Sequence, residues 1–483
     1  MLTHAHIDHS GLIPLMYVNG FRGQVYSTSA TAQLCEIMLR DSAHIQMFEA
    51  EWRNRKAARS GGKLKEFVPL YDMDAAVNVC KQFVGCEYDR VYDIAEGIKI
   101  RFTDVGHLLG SASIEVWATE KTENGDVTEK IVFSGDIGNI NKPIIKDPKH
   151  VRDADYVVME STYGNRSHGG TPNYVEDLTD IFKRTFERGG NVVIPSFAVG
   201  RTQELLYIIR KIKEDNLVGR DFDVYMDSPL AIEATNIFIK NVESCFDDEA
   251  VELVRKGINP LTFPGLKYAT TGDESKQINF DPNPKVIISS SGMCEAGRIR
   301  HHLKHNLWRP ECTIVFVGYQ AVGTTGRIIV DGAEEIKLFG EPIQIKAEIV
   351  QLKGSSGHAD KDGLLCWINA FDRKPKKVFV VHGEDSVCDE FTECLKEEYG
   401  YDAMAPYTGG SYDLIADRVI SEGVKERKTR RTTSTQRGKT VFDRLVAAGK
   451  RLMTVITHNE GGTNKDLAKF TDQINALCDK WDR

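Results

Sequence analysis

Apolar positions along this chain change their period repeatedly, and the changes sort it into short strands and longer helices. Residues 29–58 recur with the spacing of an amphipathic helix, which ends in a basic stretch of Arg53, Arg55, Lys56 and Arg59. Short apolar runs follow at 98–103, 113–116, 131–133 and 156–159, each bounded by Gly, Asp, Ser or Glu as strands are. From about Asn173 the rhythm alters. Strand-like runs at 191–194, 224–226, 286–289 and 313–317 alternate with helix-length segments at 202–213, 230–242 and 298–307. That is the pattern of parallel βαβ units, a separate Rossmann-like domain running to about Gly340. Runs at 343–352 and 378–381 restore strand signals, each followed by a loop carrying a histidine. A polar, basic stretch at 432–439 reads as a linker, and 441–455 and 467–478 as a small helical tail. The class is therefore α/β.

Composition narrows the picture. A chain of 483 residues is too long for one ordinary core. No apolar run is long enough to span a bilayer, so no membrane partner is expected. Ten Cys occur without a CxxC pair, the usage of reduced thiols in a cytoplasmic protein. The net charge of −8 argues against a protein that coats nucleic acid non-specifically, but not against an enzyme with a local basic groove.

The densest chemistry stands at the start: Thr3-His4-Ala5-His6-Ile7-Asp8-His9. Three imidazoles and a carboxylate within six positions are the mixed nitrogen and oxygen donors that zinc accepts. In an extended segment His4 and His6 point the same way and reach one metal. Asp8 and His9 come after a turn running into a helix and aim at a second. A solvated histidine-rich patch is the competing reading.

Further ligand-type residues sit where apolar runs give way to loops: His107, Asp136, Glu160, His358 and His382. Each alone reads as a hydrogen-bonded loop residue or a turn. Their common position is where α/β enzymes place their sites. The middle region adds Gly- and Ser-rich stretches, 195–201, 289–293 and 318–324. Backbone amides and a helix N-terminus there could hold phosphate, with Arg201 as a clamp. Ordinary strand-to-helix turns need the same small residues.

Taken together, these motifs resemble the metallo-β-lactamase superfamily and, within it, the β-CASP nucleases. His4-Ala5-His6-Ile7-Asp8-His9 is similar to the family's HxHxDH motif, His107 and Asp136 to its next two, and Glu160, His358 and His382 to the three β-CASP motifs. The resemblance runs from His4 to about Tyr412. It implies an αββα sandwich, N-terminally truncated, with an inserted Rossmann-like β-CASP domain. The implied boundaries are 1–172 and 341–430 for the two parts of the metallo-β-lactamase domain, 173–340 for the insertion and 431–483 for the linker and tail. It implies two zinc ions, one on His4, His6 and His107 and one on Asp8, His9 and His382, with Asp136 bridging. His358, held by Glu160, would protonate the leaving oxygen, and Asp8 counts with both as catalytic. Substrate would meet Arg201, Ser196, Ser290, Gly292 and Ser356.

A histidine at the third β-CASP position is typical of the RNA-directed branch. The implied activity is zinc-dependent hydrolysis of single-stranded RNA, with a homodimer as a possible assembly. An inactive RNA-binding paralogue and a small-ester or thioester hydrolase are the alternatives. The insertion argues against the latter, since small substrates need no cover. The family's strand-rich segment before HxHxDH, with an Asp that supports the metal site, does not precede His4. The expectation is a truncated product with Met1 at an internal start.

Overall fold

The computed structural model describes residues 1–59, 66–123, 125–169, 173–352, 356–425, 449, 452–453, 455–457, 459 and 464–481. They divide into two units, Met1–Pro406 with Ser411–Ile420, and Tyr407–Gly410 with Ser421–Arg483. The second unit contains the helix Asn464–Trp481, covering the helix expected over 467–478. The linker at 432–439 and most of 441–455 lie outside the described residues.

The first unit is α/β and holds two main sheets. One has seven strands in the order Ala403–Met404, Lys377–Val381, Tyr156–Glu160, Gly125–Phe133, Ala112–Thr122, Ile98–Asp104 and Val91–Ala95. The first four pair in parallel, the rest antiparallel. Alternate residues choose the face, as the strand period requires. Val157, Met159, Val378 and Val380 pack beneath the helices Lys361–Ile368 and Asp385–Glu397. On the opposite face Ile100, Phe102, Ile114 and Val116 meet Cys86 and Tyr26 of a small parallel pair, Val25–Thr28 with Phe83–Cys86. The helix Ser29–Arg59 covers that pair, completing helix, sheet, sheet and helix layers. The amphipathic reading of this helix holds in its first half. Beyond Ala43 only Ala50 is buried, and Ile45, Phe48 and Trp52 are exposed.

The second sheet is parallel throughout, in the order Leu266–Tyr268, Asp223–Asp227, Lys285–Ser289, Val192–Pro195, Thr313–Val317 and Glu348–Leu352. Its central strands are buried along their whole length because helices cover both faces. Leu178, Phe182, Leu205, Ile209 and Phe238 come from helices on one face. Ile299, Leu303 and Ile329 come from helices on the other. This is the Rossmann-like insertion. The sequence reading places the return to the first domain at 341, shortly before one further strand of the inserted sheet. Glu348–Leu352 pairs residue for residue with Thr313–Val317 and is the edge strand of the inserted sheet. An apolar run of five carries no mark of which sheet it joins.

The seven-stranded sheet also buries a charge cluster. The Glu115 side chain is wholly buried and accepts two bonds from the Arg101 guanidinium, both 2.7 Å, and one from Thr103 at 2.8 Å. The Lys130 ammonium lies 2.7 Å away. Glu115→Ala leaves Lys130 with Asp153 at 2.8 Å and takes from Arg101 its bidentate carboxylate, which should cost about 3 kcal/mol of unfolding free energy. Denaturant unfolding of the variant measures this; a loss under about 1 kcal/mol would show that the cluster contributes no more than a surface pair.

Candidate metal centre and catalytic site

Four strands of the first sheet, Ile98–Asp104, Gly125–Phe133, Tyr156–Glu160 and Lys377–Val381, run in one direction. Their C-terminal ends therefore share an edge, where open α/β sheets bind ligands. His107 follows the first, Asp136 the second, Glu160 ends the third, and His382 follows the fourth. The N-terminal segment reaches the same edge because Leu2 N–H bonds Tyr26 O at 2.9 Å and Ala112 N–H bonds Thr3 O at 3.0 Å. A short helix, Ile7–Ser10, starts at once and carries Asp8 and His9, and the His9 ring centroid lies 4.1 Å from that of His4.

Tight backbone geometry shapes these loops. His107 and His382 adopt the left-handed conformation, with φ of 63° and 51°. That conformation costs a non-glycine residue energy and clusters at functional sites. Gly138 lies so close to the His107 loop that a Cβ there would come within 2.2 Å of the His107 nitrogen.

All seven expected ligands meet. The Asp136 carboxylate, 2% exposed, lies 3.3 Å from His4 Nε2, 3.3 Å from His9 Nε2 and 3.5 Å from His107 Nε2. His6 Nδ1 is 3.0 Å from His107 Nε2, and His9 Nε2 is 3.1 Å from His382 Nε2. Asp8 Oδ2 lies 3.7 Å from His382 Nε2 and 3.9 Å from His9 Nε2. Donor atoms of His4, His6, His107 and Asp136 fall within 4.8 Å of one another, and so do those of Asp8, His9 and His382.

The residues fit a metal. His4 Nε2 and Asp136 Oδ1 are buried without a hydrogen-bond partner. A buried polar atom without a partner is costly, and a cation would satisfy both. Burial pulls the His6 pKa down to about 3 and holds His4 and His107 below the usual imidazole range. These rings are neutral at pH 7, the form a metal needs. His382 moves the other way, up to about 9, through its bond to Asp8. That bond in turn lowers Asp8.

His358 stands beside this group. Its Nδ1 is 3.2 Å from both oxygens of Glu160, and its Nε2 is 3.9 Å from Asp136. Burial pulls the His358 pKa down, but the facing Glu160 and Asp136 carboxylates outweigh it and the net shift is upward. Glu160 is buried and also accepts the Ile137 N–H at 2.5 Å. Sequence reasoning missed Thr162, whose hydroxyl lies 3.1 Å from His382 Nδ1 and fixes that ring. Its signal was its place two residues after Glu160.

The expected substrate residues lie around the inserted sheet. Gly200 approaches Leu108, next to His107, so the loop before the helix Arg201–Glu214 borders the site. Ser196 is buried and takes the Thr202 hydroxyl at 3.0 Å. The Ser290 hydroxyl is buried without a partner, Gly292 packs on Phe197, and Ser356 accepts the His358 N–H at 3.1 Å. Arg201 is not a free clamp. It is paired with Glu204, which also binds Lys142 of the first domain at 3.1 Å.

Comparison with known proteins adds to this geometry. Residues 202–329 match the Beta-Casp domain, and residues 342–406 match the Zn-dependent metallo-hydrolase RNA specificity domain. Ribonuclease TTHA0252 of Thermus thermophilus is 34% identical over 385 residues, 80% of this chain and 81% of that protein. An RNase J-like protein of Methanocaldococcus jannaschii is 31% identical, with 80% and 81% covered. The transcription termination factor FttA of Methanosarcina mazei is 32% identical over 84% of this chain, which spans 61% of that factor's length. Motifs at one sheet edge, the inserted parallel sheet above them and these similarities agree: the chain belongs to the β-CASP branch of the metallo-β-lactamase superfamily, zinc-dependent hydrolases that act on RNA.

Proposed function

We propose that this chain hydrolyses phosphodiester bonds of single-stranded RNA with two zinc ions held at the sheet edge. The observation that carries the reading is two groups of donors, His4, His6 and His107 with Asp136, and Asp8, His9 and His382, the second reaching the same carboxylate through His9 at 3.3 Å. Zinc bound there supplies Lewis acidity toward the phosphate and toward water.

The chain's own residues do the rest. Asp136 is held ionised by the histidines around it and serves both ligand groups. Glu160 locks Nδ1 of His358 and turns Nε2 toward Asp136, so His358 holds a proton at Nε2 for the leaving oxygen. Thr162 fixes the ring of His382. Asp8, its side chain 63% exposed, stands on the solvent side. The Ser290 hydroxyl is available to a backbone phosphate. Phe197 and Tyr319, both exposed on loops of the inserted sheet, offer rings to unstacked bases. Ten free cysteines support a cytoplasmic setting. No helix among the described residues is long and apolar enough to cross a membrane.

Matched labelled RNA and DNA oligomers test the substrate. RNA should be cut faster, with binding that weakens as salt rises; equal rates on both would remove the RNA assignment. Elemental analysis should give about two zinc equivalents per chain, and Asp136→Ala should lose both hydrolysis and metal, because one carboxylate serves both ligand groups. Retention of two equivalents by that variant would end the bridging role. His358→Ala should slow cleavage by roughly 10²–10⁴-fold with zinc content unchanged. Loss of zinc instead would mark His358 as a ligand and leave the proton donor to another group.

A further inference from the structure

A cavity of about 580 Å³ lies between the first domain and the inserted unit. No metal-ligand candidate lines it. Its walls are the segment after Asp136, the start of the helix that follows His358, and the insertion's helices around Tyr174 and Tyr207. The volume falls in the range of small-molecule sites.

Two features of the lining define a ligand. First, polar atoms are left over. Trp367 is 1% exposed and its indole N–H has no partner. Both ring nitrogens of His168 are buried without partners. A neutral imidazole offers one donor and one acceptor, and an indole one donor. An apolar occupant would leave all three unsatisfied. Second, the charges are already used. Lys142 is paired with Glu204, and Lys211 with Glu249 at 2.7 Å. Asp360 accepts the N–H groups of Gly363 and His168, and Asp362 the Ser167 hydroxyl. The carboxylates of Asp360 and Asp362 line the same cavity and would repel a phosphate, while both lysines already hold their glutamates. The occupant is neutral, flat enough for walls carrying Tyr207 and Trp367, and edged with mixed donors and acceptors.

The cavity also touches the catalytic loops. Ile137 and Ala359, both in its wall, are joined by an Ala359 N–H to Ile137 O bond of 2.7 Å. Asn139 N–H bonds Gly357 O at 3.0 Å, and Gly138 bridges His358. This ladder ties the Asp136 loop to the His358 loop. The His168 ring further packs edge-on against Tyr163, with centroids 4.6 Å apart, and Tyr163 lies 6.1 Å from the His358 ring.

We propose that this cavity binds a neutral planar heteroaromatic molecule of the nucleobase class, and that its occupancy acts on catalysis through the ladder between the Asp136 and His358 loops. The binding half stands independently of the proposed function; the effect on catalysis rests on it.

Calorimetric titration of the full chain with adenosine, guanosine, cytidine and uridine tests binding. At least one should saturate with Kd of about 1 mM or tighter. His168→Ala and Trp367→Phe should each weaken it roughly tenfold, the worth of one hydrogen bond, with thermal melting confirming that both variants fold. No saturable binding of any of the four, or affinity unchanged in both variants, would overturn the site. RNA cleavage should change at saturating nucleoside in the parent chain and not in His168→Ala. Binding with an unaltered cleavage rate would overturn the coupling, and absent cleavage under every condition would count against the proposed function instead.

Discussion

A carboxylate buried among crowded imidazoles sets the terms for this molecule. Nitrogens of His4, His9, His107, His358 and His382 lie 3.3–3.9 Å from Asp136. They cannot all be protonated, because they crowd one another: His6 meets His107 at 3.0 Å and His9 meets His382 at 3.1 Å. The lone pairs face inward with too few protons to share, and a cation is what relieves them. Everything around the cluster serves to hold it against that cost. Parallel strands aim their ends at one edge, two loops accept left-handed histidines, and glycine at 138 removes the side chain that would push one loop away.

Much of this was legible in the sequence because metal ligation is a local demand. His4, His6, Asp8 and His9 lie within six residues, and the remaining candidate ligands announce themselves as polar residues following apolar runs. What was not legible depends on partners far along the chain. The basic charge of Arg201 suggested a phosphate clamp, and only the fold brings Glu204 and Lys142 to it. Thr162 looks like any loop threonine until His382, 220 residues later, is placed beside it. The strand Glu348–Leu352 was detected, but its sheet was not, since pairing is decided by topology and not by the five residues themselves. Likewise the pattern of the long helix promised a continuous buried stripe, whereas burial ends midway.

Lys142, Glu204 and Arg201 form the ionic contact between the two sheets' domains nearest the site. All three side chains are nearly buried. Their charges are worth more here than on an open surface, where solvent would screen them. The contact joins the loop that leaves Asp136 to the first turn of the helix Arg201–Glu214, so the inserted unit is pinned close to the metal-ligand cluster and not at its rim.

The edge position of Glu348–Leu352 carries a mechanical consequence. This strand belongs to the inserted sheet, yet six residues past its end the same chain supplies His358. His358 thus follows closely on the inserted sheet in sequence, while Glu160 and Asp136, which it faces, belong to the other sheet. The backbone ladder between the Asp136 and His358 loops keeps His358 registered to the first sheet even though its chain arrives from the inserted one.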